Sequence, residues 1–256
     1  MSFGVVEGEP GAGPEALTVA EVDGHPFGKL TFTSQRWALA DVRLLSPILP
    51  SKVVCVGRNY ADHAAEHGAE VPAEPLLFLK PSTSVIGPRD AIRLPAQSRQ
   101  GEHEAELAVG IGPPGARRAD RAAAERAIFG YTCANDVTAR DLQRSDGQWT
   151  RAKGFDSFCP IGPWIVTGLD VADLEVRCEV GPKPDEMDVR QLGRTKQMVF
   201  DVPTLVSYVS HVMTLLPGDV ILTGTPAGVS ELTAGDTVSV RIEGIGELAS
   251  PVVAAD

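Results

Sequence analysis

Short stretches in which apolar and polar residues alternate dominate this chain, and long helical patterns are few. The clearest is "HEAELAVGIG" from residue 103, whose period of two predicts a β-strand. Further short strands are predicted in the segments "KVVCVG", "PLLFLK", "FGYTCA", "PIGPWIVT", "LEVRCEV", "DVILT" and the hairpin "GDTVSVRIEGIGEL".

Helical spacing is confined to a few segments. "RADRAAAERAI" is strongly helical, and "DVPTLVSYVSHVMTL" has apolar residues at helical spacing after an early proline. A short helix is expected over "RNYADHAAEHG", with Asn59 as its cap and Gly68 at its end. Many strands and few helices predict an α+β, β-rich chain built on a β-sandwich or closed roll, and argue against a doubly wound parallel sheet.

The first part of the chain forms a unit of its own in this pattern. Alternating runs flank Asp23-Gly24, a hairpin signal, and the proline-rich join "PILPSK" follows. We therefore predict a small N-terminal β-rich domain over residues 1–50 and the main domain over residues 51–256.

Composition narrows the range of functions. A formal net charge of −11 and a pI of about 4.9 disfavour binding to nucleic acid. No apolar run approaches the roughly 18–20 residues that a bilayer requires, and the N-terminus lacks a signal-peptide pattern, so we expect no membrane association. The 4 cysteines are far apart, as reduced and mostly buried thiols of a cytoplasmic protein would be.

Two glutamates, Glu104 and Glu106, lie two residues apart on a predicted strand and therefore point to one face. They are ordinary polar residues if that face is exposed, but the continuation "LAVGIG" favours a buried strand. Buried carboxylates repel each other, and a bound cation would relieve the repulsion. Asp136 adds a third carboxylate at the end of "FGYTCA". An all-oxygen set of this kind favours Mg²⁺ or Mn²⁺ over Zn²⁺ and leaves positions for water and substrate.

Several other polar residues have two interpretations. Lys153 in "RAKGFDSF" fits a surface lysine when it is read alone. Arg140 and Gln143 follow Asp136 by four and seven residues, so the three share one face if a helix contains them all. The alternative is that they are ordinary polar residues of a helix. Thr225 lies in the tight turn "LTGTPAGV", which is either a connector or a loop whose N–H groups approach an anion.

The segment "HAAEH" at residues 63–67 matches the H-x-x-E-H pattern of some zinc peptidases. His63 can meet both Glu66 and His67 on one helix face. A peptidase needs a long helix and a further acidic ligand, whereas Gly68 ends this helix at once. The alternative is that both histidines are exposed residues of a loop and have no function.

Six segments together resemble the fumarylacetoacetate hydrolase family, in that family's order, across roughly residues 51–248. They are "VGRNYADHAAEHG", "PLLFLKPSTSVIGP", "HEAELAVGIG", "GYTCANDVTARDLQ", "KGFDSFCPIGPW" and "LPGDVILTGTPAGV". The likeness is greatest to the shorter bacterial members that act on acylpyruvates and related 2-oxo acids. It implies a mixed β-sandwich roll, a homodimer and a Mg²⁺ or Mn²⁺ site.

The resemblance also implies roles for individual residues. The metal ligands are Glu104, Glu106 and Asp136; the catalytic residues are His63, Glu66 and Lys153; the substrate is held by Arg140, Gln143 and Thr225. The substrate is a small 2-oxo acid, and the expected reaction is hydrolysis of the C3–C4 bond of an acylpyruvate through an enolate that the cation stabilises.

In this scheme His63, oriented by Glu66, deprotonates the attacking water. Decarboxylation of an oxaloacetate-type acid and isomerisation of a 2-hydroxyhepta-2,4-diene-1,7-dioate use the same enolate and stay open. A protein that binds a 2-oxo acid without turning it over is a further alternative.

Overall fold

The computed structural model describes residues 1–8, 13–66, 68–183 and 185–254. The chain divides into two compact units, Met1–Leu44 and Leu45–Asp256.

The N-terminal unit is a small antiparallel sheet. Its strands are β1 (Gly4–Glu7), β2 (Thr18–Val22) and β3 (Phe32–Ala38), in the order β1-β2-β3. The predicted Asp23-Gly24 turn begins the connection from β2 to β3. Asp23 donates its N–H to the carbonyl of Thr31 at 2.8 Å, so the connection is longer than a two-residue hairpin.

Over its described residues, the larger unit contains the remaining strands and five α-helices. The strands are β4 (Val53–Gly57), β5 (Leu76–Lys80), β6 (Val85–Ile86), β7 (Ile92–Leu94), β8 (Gly101–Glu102), β9 (Ala105–Ile111), β10 (Ile128–Asn135), β11 (Thr138–Ala139), β12 (Cys159–Val166), β13 (Glu175–Gly181), β14 (Asp188–Arg194), β15 (Val220–Leu222), β16 (Thr237–Ile242) and β17 (Gly246–Ala254). The helices are α1 (Ala61–Glu66), α2 (Arg121–Ala127), α3 (Arg140–Asp146), α4 (Thr150–Lys153) and α5 (Val202–Val212).

Two mixed sheets form a sandwich. The 7-stranded sheet has the order β5-β4-β15-β9-β10-β12-β6, and the 5-stranded sheet has the order β14-β13-β16-β17-β7. Strands β9, β10 and β12 pack against β13, β16 and β17. The apolar side chains between them, such as Leu107, Val176 and Leu248, form the core. The predicted β-rich α+β class and the mixed β-sandwich roll are confirmed.

Aspartate side chains cap the N-termini of helices α2 and α5. The carboxylate of Asp120 accepts the N–H of Ala123 at the start of α2, and Asp201 does the same for Thr204 at the start of α5. All four cysteines are unpaired and buried, as predicted. Among the helices of the described chain, none is long and apolar enough to cross a bilayer.

Strand β9 divides the hydrophobic core from a polar site. All of its residues are buried, and Leu107, Val109 and Ile111 belong to the core between the sheets. Since side chains alternate along a strand, Glu104 and Glu106 point to the opposite face. A strand covered on both faces explains why its flanking residues are apolar although it carries two carboxylates.

Candidate metal centre and active site

The register of β9 and β10 brings three carboxylates together. Ala134 pairs with Glu106, so Asp136, two residues further along, points to the same face beside Glu104. The N–H of Asp136 bonds to the carbonyl of Glu104 at 2.9 Å, which fixes that register. Glu104, Glu106 and Asp136 are buried, and each offers an oxygen within 4.8 Å of the others. The three predicted metal ligands therefore converge.

Two buried lysines lie against this cluster. Lys153, at the end of α4, donates to Glu104 Oε2 at 2.8 Å and to Asp136 Oδ2 at 2.7 Å. Lys80, the last residue of β5, donates to Asp136 Oδ1 at 2.5 Å and to the carbonyl of Val137 at 3.0 Å. The interpretation of Lys153 as a surface residue is thus wrong, because its side chain is only 2% exposed.

Sequence reasoning assigned no role to Lys80. The signal was present, since a lysine ends the apolar strand "LLFL" immediately before a proline. A charged residue there must either leave the sheet or find a buried partner, and Asp136 is that partner.

Arg140 binds carboxylates of its own chain. Its Nε donates to Glu102 Oε2 at 2.7 Å, its Nη2 to Glu104 Oε1 at 2.6 Å and its Nη1 to Gln143 Oε1 at 2.6 Å. Helix α3 begins at Arg140, so the prediction that Asp136 shares a helix face with Arg140 and Gln143 is wrong. Asp136 instead belongs to the segment that links β10 to β11.

The surroundings shift the pKa values of Glu104 and Glu106 in opposite directions. Burial disfavours the charge of Glu104, but Lys153 and Arg140 hold the pKa of this carboxyl well below its usual value. Burial, followed by repulsion from Asp136 and Glu104, raises the pKa of Glu106 well above its usual value. Within the described chain, the one hydrogen bond to the Glu106 carboxylate comes from the N–H of Gly224, at 2.5 Å.

These residues fit a hard dication. Their donors are oxygens only, which is the set that Mg²⁺ and Mn²⁺ prefer. Glu106 lacks a cationic side chain of its own, and its like-charged neighbours oppose its ionisation. A dication among these oxygens would remove that opposition.

A histidine on helix α1 lies beside the carboxylate cluster, and a glutamate of the same helix contacts it. His63 Nδ1 lies 3.3 Å from Glu66 Oε2, and His63 is 7% exposed. The Glu66 carboxylate also accepts the N–H of Gly228, at 3.1 Å for Oε1. His67, the second histidine of "HAAEH", lies outside the described residues. Among the residues that the structure describes, the candidate metal ligands are the three carboxylates, and His63 is not one of them.

The start of α1 differs from the prediction. Asn59 does not cap the helix, because its side chain donates to the carbonyls of Phe200 and Thr223 and accepts the N–H of Phe200. These bonds tie the segment before α1 to distant parts of the chain. Gly68 does follow the helix in a left-handed conformation, with φ +63, as expected for its end.

The turn after β15 closes the site. Thr225 donates to the carbonyl of Ala105 at 2.8 Å and accepts the side-chain N–H of Gln191 at 2.7 Å. Gly224 has φ +97, a conformation that favours glycine and aims its N–H at Glu106. Gln191, which sequence reasoning missed, also bonds to the buried ring of His103, whose Nδ1 lies 3.0 Å from its Oε1.

One pocket contains most of the predicted residues. Its apolar lining consists of Val56, Gly57, Phe78 and Trp149, and its polar lining consists of Arg58, His63, Glu104, Glu106, Arg140, Gln143, Lys153, Gly224 and Thr225. An apolar wall facing carboxylates, cations and a histidine is suited to a small anion with a carbon skeleton.

Comparison with known proteins defines the class. Residues 52–253 match the family model "Fumarylacetoacetate (FAA) hydrolase C-terminal", and residues 1–47 match "Rv2993c-like, N-terminal". The chain belongs to the fumarylacetoacetate hydrolase family, as its motifs indicated.

Particular relatives differ in the reactions that their names state. A 2-hydroxyhepta-2,4-diene-1,7-dioate isomerase from Mycobacterium marinum is 54% identical, with a TM-score of 0.89 over 99% of this chain and 94% of that one. Human "Oxaloacetate tautomerase FAHD2A, mitochondrial" is 43% identical over 249 residues, 88% of this chain and 77% of the relative. A maleylpyruvate hydrolase from Sphingobium sp. SYK-6, solved with manganese(II) and pyruvate, is 37% identical, with a TM-score of 0.73 over 87% of this chain and 78% of that one. The family thus contains isomerases, hydrolases and tautomerases, and at least one member binds manganese.

Proposed function

We propose that this protein is a Mg²⁺- or Mn²⁺-dependent enzyme that hydrolyses the C–C bond of an acylpyruvate-type 2,4-dioxo acid through an enolate. The observation that carries the proposal is a cluster of three buried carboxylates bonded to Lys153, beside a pocket that Glu104, Glu106, Lys153 and His63 line.

Glu104, Glu106 and Asp136 would hold the cation. When bound, the cation would supply Lewis-acid stabilisation of the negative charge that develops on the 2-oxo oxygen. Four buried carboxylates, counting Glu102, face three buried cations, Lys80, Lys153 and Arg140. With all four carboxylates ionised, a dication turns an excess of one negative charge into an excess of one positive charge, which favours an anionic substrate.

The chain's own residues would then bind and orient the 2-oxo acid. Lys153 places its ammonium group at the floor of the pocket, where it adds positive charge near the reacting oxygens. Arg140 adds charge from behind Glu104 and holds that carboxylate in place. Gln143 and Thr225 line the same space and would fix the orientation of the substrate.

His63 would take the proton of the attacking water. Its ring borders the pocket, and Glu66 contacts the Nδ1 atom of this ring. The other nitrogen, Nε2, would therefore act as the base. The glutamate would orient the ring and stabilise the imidazolium that forms. Gly228 in turn holds Glu66, so the pair is fixed by the turn that follows Thr225.

Isomerisation or tautomerisation is the second candidate. It needs the same enolate but only a proton transfer, and the relatives named as an isomerase and as an oxaloacetate tautomerase support it. The two candidates differ in whether a water must be activated, so they differ in their need for His63.

An assay of acetylpyruvate, fumarylpyruvate, oxaloacetate and 2-hydroxyhepta-2,4-diene-1,7-dioate, with Mg²⁺ and with EDTA, tests the proposal. We expect pyruvate release from an acylpyruvate that EDTA abolishes. Tautomerisation of oxaloacetate or isomerisation of the dienedioate, without cleavage of any acylpyruvate, would overturn hydrolysis in favour of the second candidate. Release of CO₂ from oxaloacetate as the one reaction would overturn both in favour of decarboxylation. No turnover of any of the four compounds would overturn both.

A further inference from the structure

Within the described chain, two of the lysine and arginine side chains that line the pocket are bonded to other protein groups. Lys153 is bonded to Glu104 and Asp136, and Arg140 uses three nitrogens on Glu102, Glu104 and Gln143. Arg58 also lines the pocket, and its side chain makes no hydrogen bond or ion pair with any residue that the structure describes.

The backbone of Arg58 is held in an unusual conformation. Its φ is +58, a region that costs a residue with a side chain roughly 1–2 kcal/mol. On one side, a Cβ at Gly57 would lie 2.8 Å from a ring carbon of Trp149, so the chain is pressed against that indole. On the other side, Asn59 is fixed by its bonds to Phe200 and Thr223. The backbone of Arg58 is therefore held on both sides.

The turn itself gives no reason for an arginine. Glycine or asparagine would satisfy a positive φ at lower cost. Strain of this kind is common at ligand sites. Arg89, Arg118 and Ser157 also have a positive φ, so it is the place of Arg58 in the pocket lining that distinguishes it.

An apolar wall separates Arg58 from the carboxylate cluster. The Lys153 ammonium lies 5.0 Å from the centre of the Phe78 ring, and the Phe78 and Trp149 rings are 5.2 Å apart. Trp149 then contacts Gly57, next to Arg58. Contacts therefore run from Lys153 across two aromatic rings to the backbone next to Arg58.

We infer that Arg58 binds a second, distal carboxylate, so that the site prefers 2-oxo dicarboxylic acids to 2-oxo acids with a neutral tail. This inference rests on the proposed function, since it assumes that the 2-oxo acid end lies at the three carboxylates. A guanidinium group matches a carboxylate with two parallel hydrogen bonds, and the aromatic wall would cover the carbons in between. Arg58 would be a specificity-determining residue and would take no part in the bond-breaking step.

Binding of matched pairs of non-cleavable acids tests the inference. With Mn²⁺ present, calorimetry would compare 2-oxoglutarate with 2-oxopentanoate and 2-oxoadipate with 2-oxohexanoate, each pair having equal chain length. The wild type should bind at least one diacid about tenfold or more tightly than its neutral partner, the range of a charged hydrogen bond. Arg58→Gln should remove that preference and leave binding of the neutral acids within about twofold, and Arg58→Lys should retain part of it.

Arg190→Gln is the control, because Arg190 is an exposed arginine on β14 outside the pocket; it should leave the preference intact. Equal binding of diacid and neutral acid by the wild type, or a preference that survives in Arg58→Gln, overturns the inference alone. Absence of binding of any 2-oxo acid overturns the proposed function and the inference with it. Because Arg58 is exposed and its native φ is unfavourable, the variants should unfold at the wild-type temperature, which a thermal melt checks.

Discussion

Replacing Lys80 by methionine tests whether water is excluded from the buried carboxylates and lysines around Asp136. The Lys80 and Asp136 side chains are both 0% exposed and form an ion pair. Methionine fills nearly the same volume but removes the charge, so Asp136 Oδ1 loses its cation while Lys153 still binds Oδ2. Breaking a buried pair from one side costs about 3–5 kcal/mol when the remaining charge has no other partner. Because Lys153 still compensates part of the charge of Asp136, we expect a loss near the lower end of that range.

Urea denaturation at neutral pH in EDTA is the assay, with Lys196→Met as the matched control. Lys196 also pairs with an aspartate, Asp173, at 2.9 Å, but the two side chains are 59% and 43% exposed. An exposed pair contributes about 0–1 kcal/mol, so the control should unfold near the wild-type midpoint. The two substitutions differ mainly in burial.

Saturating Mn²⁺ should narrow the gap between Lys80→Met and the wild type. Losing a cation makes the cluster more negative, so the variant should bind the dication more tightly and gain more stability from it. A loss of less than about 1 kcal/mol in EDTA, equal to that of the control, would refute the reasoning, since it would mean that water reaches Asp136.

Three further predictions concern single residues. Asp120→Ala should lower the free energy of unfolding by about 0.5–2 kcal/mol in urea, because the carboxylate that accepts the Ala123 N–H is lost; no change would deny Asp120 its capping role. His63→Ala should lower acylpyruvate hydrolysis by about 10²–10⁴-fold and leave Mn²⁺ affinity unchanged, and full activity would remove the general-base role. Burial lowers the pKa of His103 from 6.5 to about 4, so its contribution to stability is complete above pH 6.5 and is lost as the pH falls towards 4. That contribution is about 3 kcal/mol, and a His103→Gln variant should lack it when unfolding is measured across this range; identical pH profiles would contradict the shift.

Local patterns predicted the paired glutamates and most of the longer strands of the larger unit, but not β14. A period of two places Glu104 and Glu106 on one face whatever the rest of the fold, and helix α2 follows from its alanine-rich sequence and the cap Asp120. The resemblance to the family added the roles that spacing left open, above all that of Lys153.

Tertiary contacts decided what the sequence left open. Asp136 joins the glutamates through the β9–β10 register, which depends on pairing between separate strands. Asn59 was expected to cap a helix, but its partners Phe200 and Thr223 are more than a hundred residues away, and no local pattern reveals them. Gln191 had no signal at all, since a glutamine on an otherwise exposed strand looks like ordinary surface.

Titration with Mn²⁺, followed by the electron paramagnetic resonance of the free ion, tests the central claim most directly. The wild type should bind one ion per chain, and Glu106→Gln should weaken that binding by about a hundredfold or more, because a ligand contributes more than the outer partners whose loss costs 10–100-fold. Glu102→Gln is the control, since Glu102 is bonded to Arg140 and lies outside the trio, and it should keep the single site. Equal Mn²⁺ affinity in Glu106→Gln and the wild type, or no binding by the wild type at millimolar Mn²⁺, would contradict the account.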